Sequence, residues 1–253
     1  MKKLPILLLS IALLTLPFEA AQADEVRAAV AANFTAAIKK LTPVFERKTG
    51  HKLVASFGAT GQLYAQIRNG APVDVFLSAD DVTPQKLVAE GDAVGASYFI
   101  YARGRLALWS SQPGYVDAQG AILKSDKFTK IAIANPKTAP YGQAAIDALT
   151  TLKLLDTISL RFVIGENIAQ TQQFVSSGNV PLGFIALAQV KALAPEDRGS
   201  WWVVPANLHQ PIDQGAVLLS RAKDASAATA FLAFLKSPEA IAIIRELGYE
   251  IPQ

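Results

Sequence analysis

Short β-rich segments alternate with helix-length amphipathic segments along most of this chain, and this alternation limits its possible folds more than any other feature. The first part of the chain has three strand–helix pairs, with strands predicted at 26–31, 52–57 and 73–78 and helices at 35–49, 62–69 and 83–90. The second and third helices end before Gly70 and Gly91, and glycine commonly terminates helices. This order predicts a parallel sheet covered by helices on both faces.

The alternation is interrupted by a long β-rich segment, residues 98–111, and then resumes. After it, strands are predicted at 130–134, 161–164, 182–185 and 201–205, and helices at 142–152 and 169–177. A second β-rich segment, 212–220, precedes two closing helices predicted at 225–235 and 238–247. Two β/α halves with two long β-rich segments between them predict two lobes joined by two crossovers. One continuous doubly wound sheet is the alternative.

The N-terminus has the three parts of a secretory signal peptide. Met1-Lys2-Lys3 is positively charged, residues 4–18 form an apolar run, and Ala21-Gln22-Ala23 is an A-x-A cleavage site. The apolar run has 15 residues, fewer than a membrane-spanning helix requires. Cleavage after Ala23, with no cysteine there to carry a lipid, predicts export to the periplasm without a lipid anchor.

These features predict four consecutive regions. Residues 1–23 are the signal peptide, 24–103 the first part of lobe 1, 104–209 lobe 2, and 210–253 the return through the hinge to lobe 1. Both crossovers are predicted to be strands, because neither contains a low-complexity linker.

The composition excludes several classes of protein and of active site. The chain has no cysteine, so it has neither a disulfide framework nor a thiolate metal site, and at 51% hydrophobic residues it is too apolar for a disordered chain. Its formal charge of +3 is spread along the sequence, which argues against a nucleic-acid partner. The motifs G-x-S-x-G and H-E-x-x-H are absent, and His51 and His209 are interpreted as surface or hinge residues. Neither an enzymatic activity nor a cofactor is therefore predicted.

Four predicted strand-to-helix junctions carry small, polar or glycine residues: 31–35, 58–62, 137–142 and 165–169. Ligands of open α/β sheets bind beyond the carboxyl ends of the strands, where the N–H groups of the first helical turn have no partner within the helix. Several such N-termini around one cleft would form an anion site from uncharged donors. For any one junction, an ordinary N-cap is the simpler interpretation. None of the four is a P-loop.

Three aspartates surround the third predicted strand: Asp74, Asp80 and Asp81. Paired carboxylates can perform acid–base chemistry, but beside an anion site they would repel the ligand. We therefore interpret them as helix caps or lobe-interface residues.

Five segments at or near the junctions form a pattern when taken together. They are Ala31-Ala32-Asn33-Phe34-Thr35, 56–67 (SFGATGQLYAQI), 70–80 (GAPVDVFLSAD), Asn135-Pro136 with Ala139-Pro140-Tyr141-Gly142, and 178–184 (GNVPLGF). In this order and spacing they resemble the periplasmic molybdate-binding proteins of ABC importers, over essentially the whole chain after the signal peptide. The resemblance implies the type II two-lobed periplasmic-binding-protein fold, an α/β fold in which each lobe is a mixed, mostly parallel sheet flanked by helices, with two hinge crossovers.

The resemblance also implies a site for tetrahedral molybdate or tungstate that uses neutral donors from both lobes. Carried over by position, its ligand-binding residues are Asn33, Ala59, Thr60, Tyr141 and Ile168. Ala59 stands where the family has a serine and keeps only its N–H, so Thr60 is the alternative hydroxyl donor. Some members use a tyrosine shortly after Pro-Leu-Gly, where this chain has Ala186, and Tyr141 is the candidate replacement. Molybdenum is expected only as the oxyanion, bound through its oxygens at the same residues.

The hydrogen-bonding groups at the four junctions also suit a tetrahedral dianion. A fully deprotonated dianion offers only acceptors, whereas protonated phosphate would need an acceptor in the site, and Glu166 is the only carboxylate at the four junctions. The expected partners are a membrane permease and, through it, its ATPase, with the receptor acting as a monomer. A receptor for sulfate or another small tetrahedral oxyanion is the alternative, and a secreted α/β hydrolase or transferase is a remote one.

Overall fold

The computed structural model describes residues 24–222 and 225–252, which form ten strands and nine α-helices. The strands are β1 (Glu25–Ala31), β2 (Lys52–Gly58), β3 (Val75–Leu77), β4 (Phe99–Gly104), β5 (Leu106–Ser110), β6 (Ile131–Ala134), β7 (Phe162–Gly165), β8 (Gly183–Ala186), β9 (Ser200–Val203) and β10 (Ile212–Leu218). The helices are α1 (Thr35–Thr49), α2 (Thr60–Arg68), α3 (Val82–Ala89), α4 (Pro140–Thr151), α5 (Leu155–Ser159), α6 (Ile168–Ser176), α7 (Leu187–Ala192), α8 (Ala225–Leu235) and α9 (Pro238–Glu246). The predicted signal peptide, residues 1–23, lies outside the described residues.

The strands form two five-stranded mixed sheets, one in each lobe. In lobe 1 the order is β2-β1-β3-β10-β4, with β1 parallel to β2 and β3, and β10 antiparallel to β3 and β4. In lobe 2 the order is β7-β6-β8-β5-β9, with β6 parallel to β7 and β8, and β5 antiparallel to β8 and β9. The two-lobed α/β fold is therefore confirmed, and the alternative of one continuous sheet is wrong.

The chain changes sheet at two places that lie side by side. It leaves lobe 1 between Gly104 and Leu106, and it returns between Val203 and Ile212. The C-terminal segment lies beside the first of these places, because the main-chain groups of Arg103 and Glu250 exchange hydrogen bonds of 2.7 and 3.0 Å within lobe 1. The two crossovers between the lobes are therefore neighbours in the structure.

Each lobe has its own apolar core. In lobe 1, α1 buries Ala37, Ile38, Leu41 and Phe45 at helical spacing, and the Phe45 ring packs edge-on against Phe231 of α8 at 5.2 Å between centroids. The core of lobe 2 also includes four alanines of lobe 1 that lie at the ends of its strands and helices: Ala31, Ala32, Ala59 and Ala79. The lobes therefore contact each other directly.

The sequence predicted the strands and the longer helices but missed two short helices. The predicted bounds of α1 and α8 are those observed, whereas α5 and α7 were not predicted. No single helix among residues 24–222 and 225–252 is long and apolar enough to cross a membrane; one pair bent by 58°, Ser226–Leu235 with Pro238–Glu246, passes that test by length and composition alone.

Candidate functional site

All five predicted site residues line one small cavity between the lobes. The cavity is small, with about 10 Å³ of space for the centre of a water molecule. Its lining residues come from the junctions of both lobes: Ala31, Ala32, Asn33, Gly58, Ala59, Thr60, Ala79, Ala139, Pro140, Tyr141 and Ile168. None of these carries a charged side chain, so a ligand in this cavity meets only amide, hydroxyl and apolar groups of the described chain.

Three helices begin at this cavity and supply main-chain donors. In α2 and α6 the first helical residues are Thr60 and Ile168, while α4 begins with Pro140, so its first N–H belongs to Tyr141. Within the described residues, no acceptor takes the N–H of Thr60, Tyr141 or Ile168. The positive ends of three helix dipoles thus meet at one place, which favours an anion.

The α6 terminus shows how one N–H is kept free. Asn167 is the N-cap, and its Oδ1 accepts from the N–H groups of Ala169 and Gln170 at 3.0 and 3.1 Å. This cap satisfies the second and third N–H groups of the helix and leaves the first, that of Ile168, directed at the cavity region.

Thr60 and Ala59 each make a hydrogen-bond contact within the protein. The Thr60 hydroxyl accepts from the Ala79 N–H at 3.0 Å and so holds the loop after β3 against α2. This accepting role does not use the hydrogen of the hydroxyl itself. The N–H of Ala59 is 3.4 Å from Oε1 of Gln62, a long contact that a stronger acceptor would displace. Ala186 is buried at the end of β8 and is not among the residues that line the cavity.

Asn33 belongs to a buried hydrogen-bond network that the sequence did not predict. Its Nδ2 donates to Oε1 of Gln214 at 2.9 Å and to the hydroxyl of Tyr249 at 3.1 Å. Gln214 also contacts the hydroxyls of Tyr101, at 2.9 Å, and Tyr141, at 3.2 Å. Gln214, Tyr101 and Tyr249 read in the sequence as ordinary strand or terminal residues, and no motif marked them.

The tyrosines of this network remain protonated. Burial raises the pKa of Tyr101 and of Tyr141 well above the ordinary value, and it also raises the pKa of Tyr249. Each hydroxyl therefore keeps a hydrogen to donate at any physiological pH.

The carboxylates of Asp80 and Asp74 accept hydrogen bonds from other parts of the protein and do not line the cavity. Asp80 caps α3, since its carboxylate accepts from the N–H of Thr83 at 2.8 Å and from its hydroxyl at 3.0 Å, and burial raises the pKa of Asp80. Asp74 accepts from the Arg27 N–H at 2.7 Å. Glu166 is exposed and does not line the cavity. A cap role is thus observed for Asp80, and no carboxylate of the described chain opposes an anion inside the cavity.

The lobes make a direct main-chain hydrogen bond beside the cavity. The N–H of Gly61, in the first turn of α2, donates to the carbonyl of Thr138 in lobe 2 at 2.9 Å. A Cβ atom on residue 61 would lie only 3.2 Å from the Cα of Thr138. The absence of a side chain at Gly61 therefore permits this closure.

No metal centre competes with this site within residues 24–222 and 225–252, since they contain no group of three or more His, Cys, Asp or Glu side chains that could hold a metal ion. The two histidines lie away from the cavity. Nδ1 of His51 lies 3.4 Å from the main-chain nitrogen of Asp24, and His209 is near the hinge beside Gln210.

Comparison with known proteins agrees with this geometry. A family model described as bacterial extracellular solute-binding protein matches residues 26–250. The molybdate-binding protein ModA of Azotobacter vinelandii is 53% identical over 230 residues, 91% of each chain, and ModA of Rhodobacter capsulatus is 49% identical, covering 90% of this chain and 89% of that one. The solved structure of the periplasmic molybdate-binding protein of Azotobacter vinelandii superposes with a TM-score of 0.86 at 42% identity, over 90% of this chain and all of that one.

Proposed function

This chain belongs to the family of bacterial extracellular solute-binding proteins, and we propose that it binds molybdate in the cavity between its lobes and delivers it to an ABC importer. The observation that carries this proposal is a small cavity between the lobes, at three helix N-termini, with no charged lining side chain. Relatives named for molybdate binding, at about half identity over nearly the whole chain, support the choice of anion.

We assign the donors as follows. The main-chain N–H groups of Ala59, Thr60, Tyr141 and Ile168 and the side-chain amide of Asn33 bind the oxyanion oxygens. Molybdate at neutral pH is a dianion with acceptors only, so a set of pure donors suits it, and charge-assisted hydrogen bonds are the strong ones. Tungstate has the same charge and shape and is proposed as a second ligand.

Capture proceeds by closure of the lobes over the anion. The anion touches donors of both lobes only when they meet, so its binding energy favours the closed state. We place the hinges at the crossovers near residues 103–104 and 209–210. The proposed setting is the periplasm, after removal of residues 1–23 and without a lipid anchor, with a membrane permease and its ATPase as partners, a monomeric receptor and no catalytic activity.

Calorimetric titration tests the proposed ligand. The mature protein is titrated separately with molybdate, tungstate, sulfate and phosphate, and then with molybdate in the presence of excess sulfate or phosphate. Tight one-to-one binding that excess sulfate does not reduce is the expected result. Tighter binding of sulfate than of molybdate would make sulfate the ligand. No binding of any of the four anions would reject the proposal of an oxyanion receptor.

Replacing Ile168 by proline removes one main-chain donor and is expected to weaken molybdate binding by about 10- to 100-fold, the cost of about 1.5–3 kcal/mol for a lost hydrogen bond to a charged group. Proline is accepted at the first position of a helix, and Asn167 before it already has the extended φ of −148° and ψ of 174° that a residue before proline adopts.

The matched control is Ile168→Val, which keeps the N–H and most of the buried side chain. It is expected to bind within about twofold of the native chain, since only one methylene is lost. Equal losses in the proline and valine variants would show that side-chain packing, not the N–H, matters at this position.

A further inference from the structure

A buried chain of amides and hydroxyls connects the cavity to the hinge, and Gln214 lies at its centre. Gln214 is on β10, the strand that re-enters lobe 1 from the hinge, and it is fully buried. Its Oε1 is 2.9 Å from Nδ2 of Asn33, in lobe 1, and its Nε2 is 3.2 Å from the hydroxyl of Tyr141, in lobe 2. Gln214 therefore joins the two lobes beside the ligand cavity.

In this arrangement the donors of the Asn33 amide point away from the cavity. Nδ2 has two hydrogens, and they go to Gln214 and to the hydroxyl of Tyr249. The remaining polar atom of the side chain is Oδ1, which accepts from no residue in the described part of the chain, although Asn33 lines the cavity. An acceptor in this position opposes an oxyanion, because the oxyanion carries only acceptors.

We propose that Gln214 is a positioning residue that aims the Asn33 amide at the bound anion, by turning its own terminal amide together with that of Asn33. A half-turn of both amides keeps every heavy-atom contact and reverses the direction of donation. Tyr141 then donates to Oε1 of Gln214, Nε2 of Gln214 donates to Oδ1 of Asn33, and Nδ2 of Asn33 donates to the anion. This inference rests on the proposed function, and it adds the residue that couples the ligand to the hinge.

The two orientations of the network contain the same number of contacts, so a ligand is sufficient to choose between them. In the present orientation, the single hydrogen of the Tyr101 hydroxyl faces two acceptors, the carbonyl of Ser78 at 2.8 Å and Oε1 of Gln214 at 2.9 Å. In the turned orientation Tyr101 accepts from Gln214 and donates to Ser78. The shared hydrogen is then that of Tyr249, between the carbonyl and Oδ1 of Asn33, 2.8 and 3.1 Å away. A ligand that interacts with one state alone shifts the population to it.

Gly104 leaves the space in which the Tyr141 hydroxyl reaches Gln214. Gly104, at the end of β4, has no side chain, and a Cβ there would overlap the Tyr141 hydroxyl and lie 2.6 Å from Nε2 of Gln214. The phenol thus ends at the hinge, while the main-chain N–H of Tyr141 begins α4 at the cavity. Tyr141 therefore acts on the anion in two ways, directly through its N–H and through Gln214 by its hydroxyl.

A cycle of variants titrated with molybdate by calorimetry tests this coupling. The native chain, Tyr141→Phe, Gln214→Met and the double variant are compared. Tyr141→Phe is expected to lower affinity about fivefold in the native chain and to have almost no effect in the Gln214→Met chain, because its hydroxyl acts only through Gln214. The same loss in both chains would mean that the phenol contacts the anion itself, and would overturn the proposal.

A spectroscopic measurement distinguishes positioning from a merely structural role and does not need the Gln214→Met variant to fold. The side-chain amide resonances of Asn33 are assigned by their loss in Asn33→Ala and followed while molybdate is added. They are expected to shift strongly in the native chain and less in Tyr141→Phe. Unchanged Asn33 resonances in a native chain that binds molybdate would overturn the proposal while leaving the proposed function intact; failure of the native chain to bind would overturn both.

The matched control for loss of a phenolic hydroxyl is Tyr115→Phe. The Tyr115 hydroxyl donates to the carbonyl of Lys127 at 2.9 Å, within lobe 2 and away from the cavity. Its removal is expected to leave both the molybdate affinity and the Asn33 resonances unchanged. An effect equal to that of Tyr141→Phe would overturn the assignment to Gln214.

Discussion

Replacing Gly61 by leucine is expected to weaken molybdate binding about 100-fold without lowering the thermal stability of the ligand-free protein. In the closed arrangement, a Cβ at residue 61 lies 3.2 Å from the Cα and 3.3 Å from the Cβ of Thr138. Larger side chains must push the lobes apart, and overpacking typically costs about 1–3 kcal/mol, where about 2.7 kcal/mol corresponds to 100-fold in affinity. When the lobes are open this helix position is free of Thr138, and leucine favours a helix more than glycine does.

A series of side-chain sizes separates this steric effect from other causes. In Gly61→Ala, the single Cβ needs a shift of only a few tenths of an ångström at Thr138, so we expect a loss of less than about fivefold. Most of the loss in Gly61→Leu is expected to appear as faster dissociation. Stopped-flow release of molybdate measures that rate, and thermal unfolding without ligand checks the fold. Full affinity in Gly61→Leu would show that binding does not bring α2 against Thr138.

The architecture was predictable because its signals are local. The periodic apolar positions of α1 and the alternation of short strands with helices depend on residues close together in sequence. Two lobes followed from two long β-rich segments, and the structure contains β4–β5 and β10 where those segments lie. The five-residue α5 and six-residue α7 were missed because helices this short show less than two full turns of periodicity.

The set of residues at the cavity was reachable from the sequence, but their hydrogen bonds were not. Composition marked the four strand-to-helix junctions, and the family resemblance named the site residues within them. The five residues that it named lie together at the cavity: Asn33, Ala59, Thr60, Tyr141 and Ile168. Their assignment as ligand-binding residues stays a prediction until binding is measured.

The hydrogen-bond network of Asn33, Gln214 and Tyr249 could not be predicted from the sequence, because its residues are far apart along the chain. Asn33 meets Gln214 across 181 positions and Tyr249 across 216, and a buried glutamine in a strand has no pattern that names its partner. The closure contact between Gly61 and Thr138 was hidden for the same reason, since it joins different lobes. Properties that depend on lobe closure therefore required the structure.

Asn33→Asp is expected to weaken molybdate binding at least 1,000-fold at pH 8. The change replaces a neutral donor by a carboxylate in a buried position, 2% exposed, within the cavity lining. Two unit charges about 4 Å apart repel by about 4 kcal/mol at an effective dielectric constant of about 20, and molybdate carries two negative charges. The loss of affinity therefore exceeds that of a missing hydrogen bond.

The control for Asn33→Asp is Asn33→Ala, which removes the donor without adding charge and is expected to lose about 10- to 100-fold, as for one hydrogen bond to a charged group. Burial beside an anion raises the pKa of the new carboxyl, because both desolvation and like charge disfavour its ionised form. Lowering the pH from 8 to 6 should therefore restore affinity in Asn33→Asp and leave Asn33→Ala unchanged, which titration calorimetry at each pH measures. Equal affinities of the two variants at pH 8 would show that residue 33 does not contact the anion. The proposed role of Gln214 in positioning Asn33 would then be wrong as well.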